Sequence, residues 1–152
     1  MIQRIQTIFL LASLILIFLI FWFPLAGLIV DDSYQFLFRY RGIYEIHSEL
    51  IAISSLPLAI LFAIILILNL ISIFLYKNRI LQMRISILNI LLMIGSVGLI
   101  YFYIWIAKTE LNVIPRYTLI SIFPFISAIL TYLAFRAINK DQKLVKSLDR
   151  IR

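Results

Sequence analysis

Cysteine is absent from the chain, which excludes structural disulfides, CxxC redox chemistry, thiolate zinc sites and acylation at a lipoprotein cysteine. The same absence removes the four-helix disulfide-forming quinone enzymes. Charge is scarce: of 152 residues only 14% are Asp, Glu, Lys or Arg, and there is one histidine. Soluble domains are about a quarter charged. With 64% hydrophobic residues and a mean hydropathy of +1.08, a water-soluble fold of this length would hold more apolar surface than it could bury, so the composition predicts a membrane protein forming one domain over residues 1–152.

Between charged residues lie four uncharged stretches, 5–30, 50–76, 85–107 and 117–135, of 26, 27, 23 and 19 residues. A hydrocarbon core of about 30 Å needs roughly 20 helical residues, so each is long enough to cross. Backbone amides in hydrocarbon must be satisfied within the segment, and the alternation of a membrane barrel is missing. The expectation is an all-α membrane protein, a four-helix transmembrane bundle.

Lys and Arg accumulate on the cytoplasmic side of short loops. With both termini inside, Arg4, Lys77, Arg79, Arg84 and the tail residues Arg136, Lys140, Lys143, Lys146, Arg150 and Arg152 are cytoplasmic, against Arg39, Arg41, Lys108 and Arg116 outside. That bias predicts N-in/C-in topology. Trp22, Tyr101, Tyr103, Trp105 and Tyr117 then cluster near the outer interface, where amphipathic rings are favoured. The first stretch follows Arg4 as a secretory signal would, but it is too long for an h-region and lacks an A-x-A site, so it reads as an uncleaved anchor. Pro24 is expected to kink or end its helix, Pro57 and Pro115 to lie near helix starts, and Pro124 to bend the fourth span.

Membrane helices associate through small residues and interhelical hydrogen bonds, since lipid is as apolar as leucine. Ser55, Ala59 and Ala63 recur every four residues in the second span; Ser86, Asn89, Met93 and Ser96, with Gly95 and Gly98 alongside, form a second face; Ser127, Thr131 and Ala134 form a third. Asn69 and Asn89 fall in the inner half of an antiparallel hairpin and are placed to bond each other, which favours structural glue over a polar cavity or a headgroup site.

No Asp, Glu, Lys, Arg or His lies within any span, which argues against ion-coupled transport, proton pumping and voltage sensing. Small multidrug exporters depend on an embedded Glu that is missing here. Gly-rich phosphate loops, nucleophile elbows and HExxH pairs are missing too. In the loop DDSYQFLFRYRGIYEIHSEL, Glu45, His47 and Glu49 alternate as strand ligands would, yet one His with two carboxylates is weak evidence for a metal. An interfacial loop, with Tyr34, Phe36, Phe38, Tyr40 and Tyr44 resting on lipid or on the bundle, is the plainer account. No cofactor is expected.

After the fourth span, Ile138, Leu144 or Val145, Leu148 and Ile151 recur at helical spacing among basic residues, predicting a basic amphipathic C-terminal helix over 136–152. Such a helix suits anionic lipid headgroups first, and a protein partner or ribosomal RNA second.

The opening MIQRIQT and the closing RAINKDQKLVKSLDRIR resemble a family of short four-span inner-membrane proteins of Bacteroidota-type bacteria, described only as a domain of unknown function. The resemblance implies an inner-membrane location with two cytoplasmic ends, and it carries no activity, cofactor or catalytic residue. Taken together, the expected function is a non-enzymatic accessory or scaffold subunit of an inner-membrane complex. The alternatives are a lipid-handling or permeation oligomer and a metal-dependent enzyme of the outer loop.

Overall fold

The computed structural model describes residues 2–30, 33–46 and 50–149. The first element is α1 (Ile2–Leu19), an 18-residue helix that ends five residues before Pro24. Its end tightens: the amides of Ile20, Phe21 and Trp22 donate to carbonyls three residues back, at 3.1–3.2 Å. Strands β1 (Ala26–Val30), β2 (Ser33–Arg39), β3 (Gly42–Glu45) and β4 (Ile51–Ser54) follow, then α2 (Leu56–Phe74), with Pro57 in its first turn. A short 3₁₀ turn at Leu75–Lys77 leads into α3 (Arg79–Leu111), which stops at Asn112, a left-handed residue at φ 50°. Strand β5 (Ile114–Tyr117) and a second 3₁₀ turn precede α4 (Phe123–Asp149).

An all-α bundle is therefore only part of the architecture. The strands form one antiparallel sheet in the order β4-β3-β2-β1-β5, capping one end of the helices. The predicted first and second spans ran too long because hydropathy does not distinguish a buried strand from a helix continued. Strand β1, AGLIV, buries three consecutive residues and so lacks the alternation that would mark it. In the 5–30 stretch only residues up to Leu19 are α-helical, and the 50–76 stretch opens with β4. Pro115 sits not at a helix start but in β5, an edge strand, where its missing N–H is tolerated.

Helices α2 and α3 and the Leu119–Gln142 segment are long and apolar enough to cross a membrane, whereas the apolar part of α1, Ile5–Leu19, is shorter. Each helix packs on two neighbours in the ring α1–α2–α3–α4. Because α1 and α3 run toward the sheet and α2 and α4 away from it, the first and last described residues, Ile2 and Asp149, lie at the pole opposite the sheet, the chain-end pole. The helix flanks are apolar and exposed, as at Ile8, Ile15, Ile60, Ile67, Leu91, Ile94 and Ile129, a surface that water does not favour.

The main apolar core lies at the sheet end. Ile17 of α1 and Ile20 just after it, Leu58 and Phe62 of α2, and Ile100 and Ile104 of α3 meet Ala26, Leu28, Phe38 and Ile43 of the sheet. Ring contacts tie sheet to helices: Phe21 with Tyr40 at 4.8 Å, Tyr101 with Tyr117 at 5.7 Å, and Phe38 with Tyr103 at 6.3 Å between centroids. The aromatic residues expected at the outer interface thus gather around the sheet.

Gly42 is fixed by close approach, since a Cβ there would stand 2.8 Å from the backbone oxygen of Ile53 and 3.1 Å from Ile51 Cγ2. Gly42→Ala should lower stability by about 1–3 kcal/mol through overpacking, seen as a lower thermal unfolding midpoint. Gly95→Ala, whose Cβ would meet nothing within 4 Å, should leave the midpoint unchanged or raised.

Candidate functional site

Buried polar side chains fill the part of the bundle that the apolar core does not reach. Nearest the α2–α3 turn, Gln82 Nε2 donates to the Ser72 carbonyl at 2.9 Å and Ser86 Oγ donates to the Gln82 carbonyl at 2.8 Å. The Ser72 and Ser86 hydroxyls are 3.3 Å apart across the two helices. This closes the hairpin with side-chain bonds that the short connection alone would not supply.

One helical turn deeper, Ser13 of α1 gathers its neighbours. Asn69 Nδ2 of α2 donates to Ser13 Oγ at 2.9 Å, and the Ser13 and Thr131 hydroxyls stand 3.0 Å apart. Ser127 Oγ donates to the Ser13 carbonyl at 3.4 Å, and Ser13 Oγ lies 3.3 Å from the Ser127 carbonyl. Thr131 Oγ1 donates to the Ser127 carbonyl at 2.8 Å and approaches Met93 Sδ of α3 at 3.8 Å. All these side chains are fully buried. Ser13 was one of three polar letters, with Gln6 and Thr7, in a 26-residue uncharged run, and only its spacing with Gln6, Leu10 and Ile17 would have marked it as inward-facing.

The expected bond between Asn69 and Asn89 is not formed. Asn69 turns to Ser13 instead, leaving its Oδ1 and both amide atoms of Asn89 buried without a hydrogen-bond partner among the described residues. Ser86, Asn89, Met93 and Ser96 do share the buried face of α3, with Ser96 Oγ donating to the Met93 carbonyl of its own helix at 2.7 Å. Gly95 and Gly98 lie on the exposed flank. The second-span strip divides. Ser55 is buried but caps the hairpin end, its Oγ donating to the Tyr40 carbonyl at 3.3 Å, while Ala59 is half-buried and Ala63 exposed. Inward-facing positions of α2 are Leu58, Phe62, Ile65, Asn69 and Ser72.

At the chain-end pole, α4 continues without a break from its apolar part through Arg136 and Lys140 to Asp149. Asp141 is buried and accepts a 2.7 Å hydrogen bond from Gln6 Nε2 of α1. It extends the inward face of Ser127, Thr131, Ala134 and Ile138 by one more turn. On the outer side of α4, a cavity of about 510 Å³ is lined by Leu133, Arg136, Ala137, Asn139 and Lys140. With two cations one turn apart above apolar carbons, it can hold an anionic group whose attached chain is greasy. Lys143 and Lys146 lie on the last turns of the helix, and Arg150 and Arg152 lie outside the described residues.

A second cavity, of about 370 Å³, lies on the sheet and is lined by Leu37, Arg39, Tyr44, Glu45 and Ile46. Glu45 ends β3, while His47 and Glu49 lie outside the described residues. Among the described residues no group of three or more His, Asp or Glu side chains is placed to hold a metal ion.

A family model described as Domain of unknown function (DUF4293) matches residues 2–151. No curated protein and no solved structure matches the chain.

Ser13→Ala removes the acceptor of Asn69 and the partner of Thr131, so it should destabilise the fold by about 1–3 kcal/mol, because buried groups are left unsatisfied. Ser96→Ala, which removes only a bond within its own helix, should have a much smaller effect. Thermal unfolding of the purified variants in one detergent compares them directly.

Proposed function

The chain belongs to the DUF4293 family, and we propose that it is a non-enzymatic accessory or scaffold subunit of an inner-membrane protein complex. In this reading all four helices cross the membrane with both ends of the chain in the cytoplasm and the sheet on the far side. The basic part of α4 then engages anionic lipid headgroups. Three apolar helices of spanning length, exposed apolar flanks and separation of charge between the two poles support the placement. By their positions along the elements, Arg4, Lys77, Arg79, Arg84, Arg136, Lys140, Lys143 and Lys146 fall at the chain-end pole, against Arg39, Arg41, Lys108 and Arg116 at the sheet pole.

The observation that carries the proposal is the continuity of α4. One helix of 27 residues links the bundle interior at Ser127 and Thr131 to a cationic cavity at Arg136 and Lys140. At 1.5 Å per residue it is about 40 Å long, more than a hydrocarbon core requires, so its last turns stand clear of the span. A rigid basic extension rooted in a packed helix suits presentation to a surface. The side of α2 bearing Ala59 and Ala63 is free to receive another membrane helix at close range.

Deletion of 143–152 leaves Asp141 and its bond to Gln6 in place, so the bundle should remain folded. Under the proposal, this truncation and the Arg136→Ala/Lys140→Ala pair each reduce co-purifying anionic lipid several-fold, read by mass spectrometry of the extracted protein. Ala63→Trp should lower the recovery of co-isolated inner-membrane proteins while leaving the thermal midpoint nearly unchanged. Intact assemblies from all three variants would refute the scaffold reading.

A further inference from the structure

Helices α2 and α3 run antiparallel, and their hydroxyl contact between Ser72 and Ser86, at 3.3 Å, fixes their register. Three residues back along α2 and three forward along α3 is nearly one turn on each, so Asn69 comes opposite Asn89 on the same facing sides. Both are buried, at 0% and 1% exposure. Their amides nonetheless make no bond to one another. Asn69 Nδ2 is committed to Ser13 Oγ, whereas Asn69 Oδ1, Asn89 Oδ1 and Asn89 Nδ2 have no partner among the described residues. The side chains that α1 and α4 bring to this level, Ser13 and Thr131, are small.

The unmatched atoms are two acceptors and one donor, and that set selects among occupants. A cation would oppose the Asn89 amide hydrogens, and an anion would oppose both carbonyl oxygens. A hydrocarbon group would satisfy none of the three. A single water molecule satisfies all three, giving one hydrogen to each carbonyl oxygen and accepting from Asn89 Nδ2; buried waters typically make about three hydrogen bonds. We propose that Asn69 and Asn89 form an internal binding site for one water molecule, which joins α2 to α3 at the level where Asn69 already joins α2 to α1. The pair thus acts as glue through an intermediary rather than by direct contact.

Water-to-protein magnetisation transfer tests this on the unmodified chain, labelled with ¹⁵N-asparagine and embedded in phosphatidylethanolamine–phosphatidylglycerol bilayers. The expected result is a cross-peak from water to the Asn89 side-chain amide, identified by its loss in Asn89→Gln. Absence of that peak, while exposed Asn112 shows one in the same spectrum, overturns the site, as does a direct through-space contact between the two side-chain amides. Thermal unfolding supplies a second reading. Asn89→Leu should lower the midpoint by stranding Asn69 Oδ1, and Asn69→Leu/Asn89→Leu should recover part of the loss. A midpoint unchanged or raised in Asn89→Leu alone would mean a dry, unused amide and would overturn the proposal.

Discussion

A hydroxyl enclosed by apolar side chains must find its partner inside the protein, and at Ser13 that requirement is met by two other helices at once. Its oxygen takes the amide hydrogen of Asn69 from α2, and its hydroxyl meets Thr131 and the Ser127 carbonyl of α4. Each bond is modest, on the order of 1 kcal/mol net, yet breaking one leaves the other partners unsatisfied as well. The position of every helix around Ser13 is thereby coupled to the others, which apolar packing, being non-directional, does not achieve on its own.

The interior is correspondingly divided. Near the sheet the core is made of Ile, Leu, Phe and Ala, and tilted ring contacts join it to β2, β5 and the β2–β3 turn. Toward the chain ends the contacts pass through Ser72, Gln82 and Ser86, then through Gln6 and Asp141. If the helix flanks face lipid, apolar residues gain little by facing inward, and polar bonds with close approach of small residues become the principal means of specifying neighbours.

Much of this was legible from spacing. Ser86, Asn89, Met93 and Ser96 announced the inward face of α3, and Ser127, Thr131 and Ala134 that of α4, because small and polar letters at intervals of three and four have little reason to face outward. What stayed hidden did so for identifiable reasons. Ala59 and Ala63 share the spacing of Ser55, but alanine is at home on either side of a helix, so the pattern could not say which way it pointed. The inward turn of Asp141 left no mark because its partner Gln6 lies 135 residues away in sequence. The sheet was missed because β1 is buried and unalternating, and because the aromatic run of β2 fits a membrane interface as well as a strand.

Strand order carries a mechanical corollary. β5 comes from the α3–α4 connection and pairs with β1 from the α1–α2 connection, at Ala26 with Tyr117 and Leu28 with Pro115. Two helical hairpins that are already joined by the α2–α3 turn at the far pole are stitched together by main-chain bonds at the sheet pole as well. The molecule is therefore clasped at both ends, by main-chain bonds at the sheet and by the α2–α3 turn with the Gln6–Asp141 bond at the other pole, so neither hairpin can swing on the other without breaking one of the clasps.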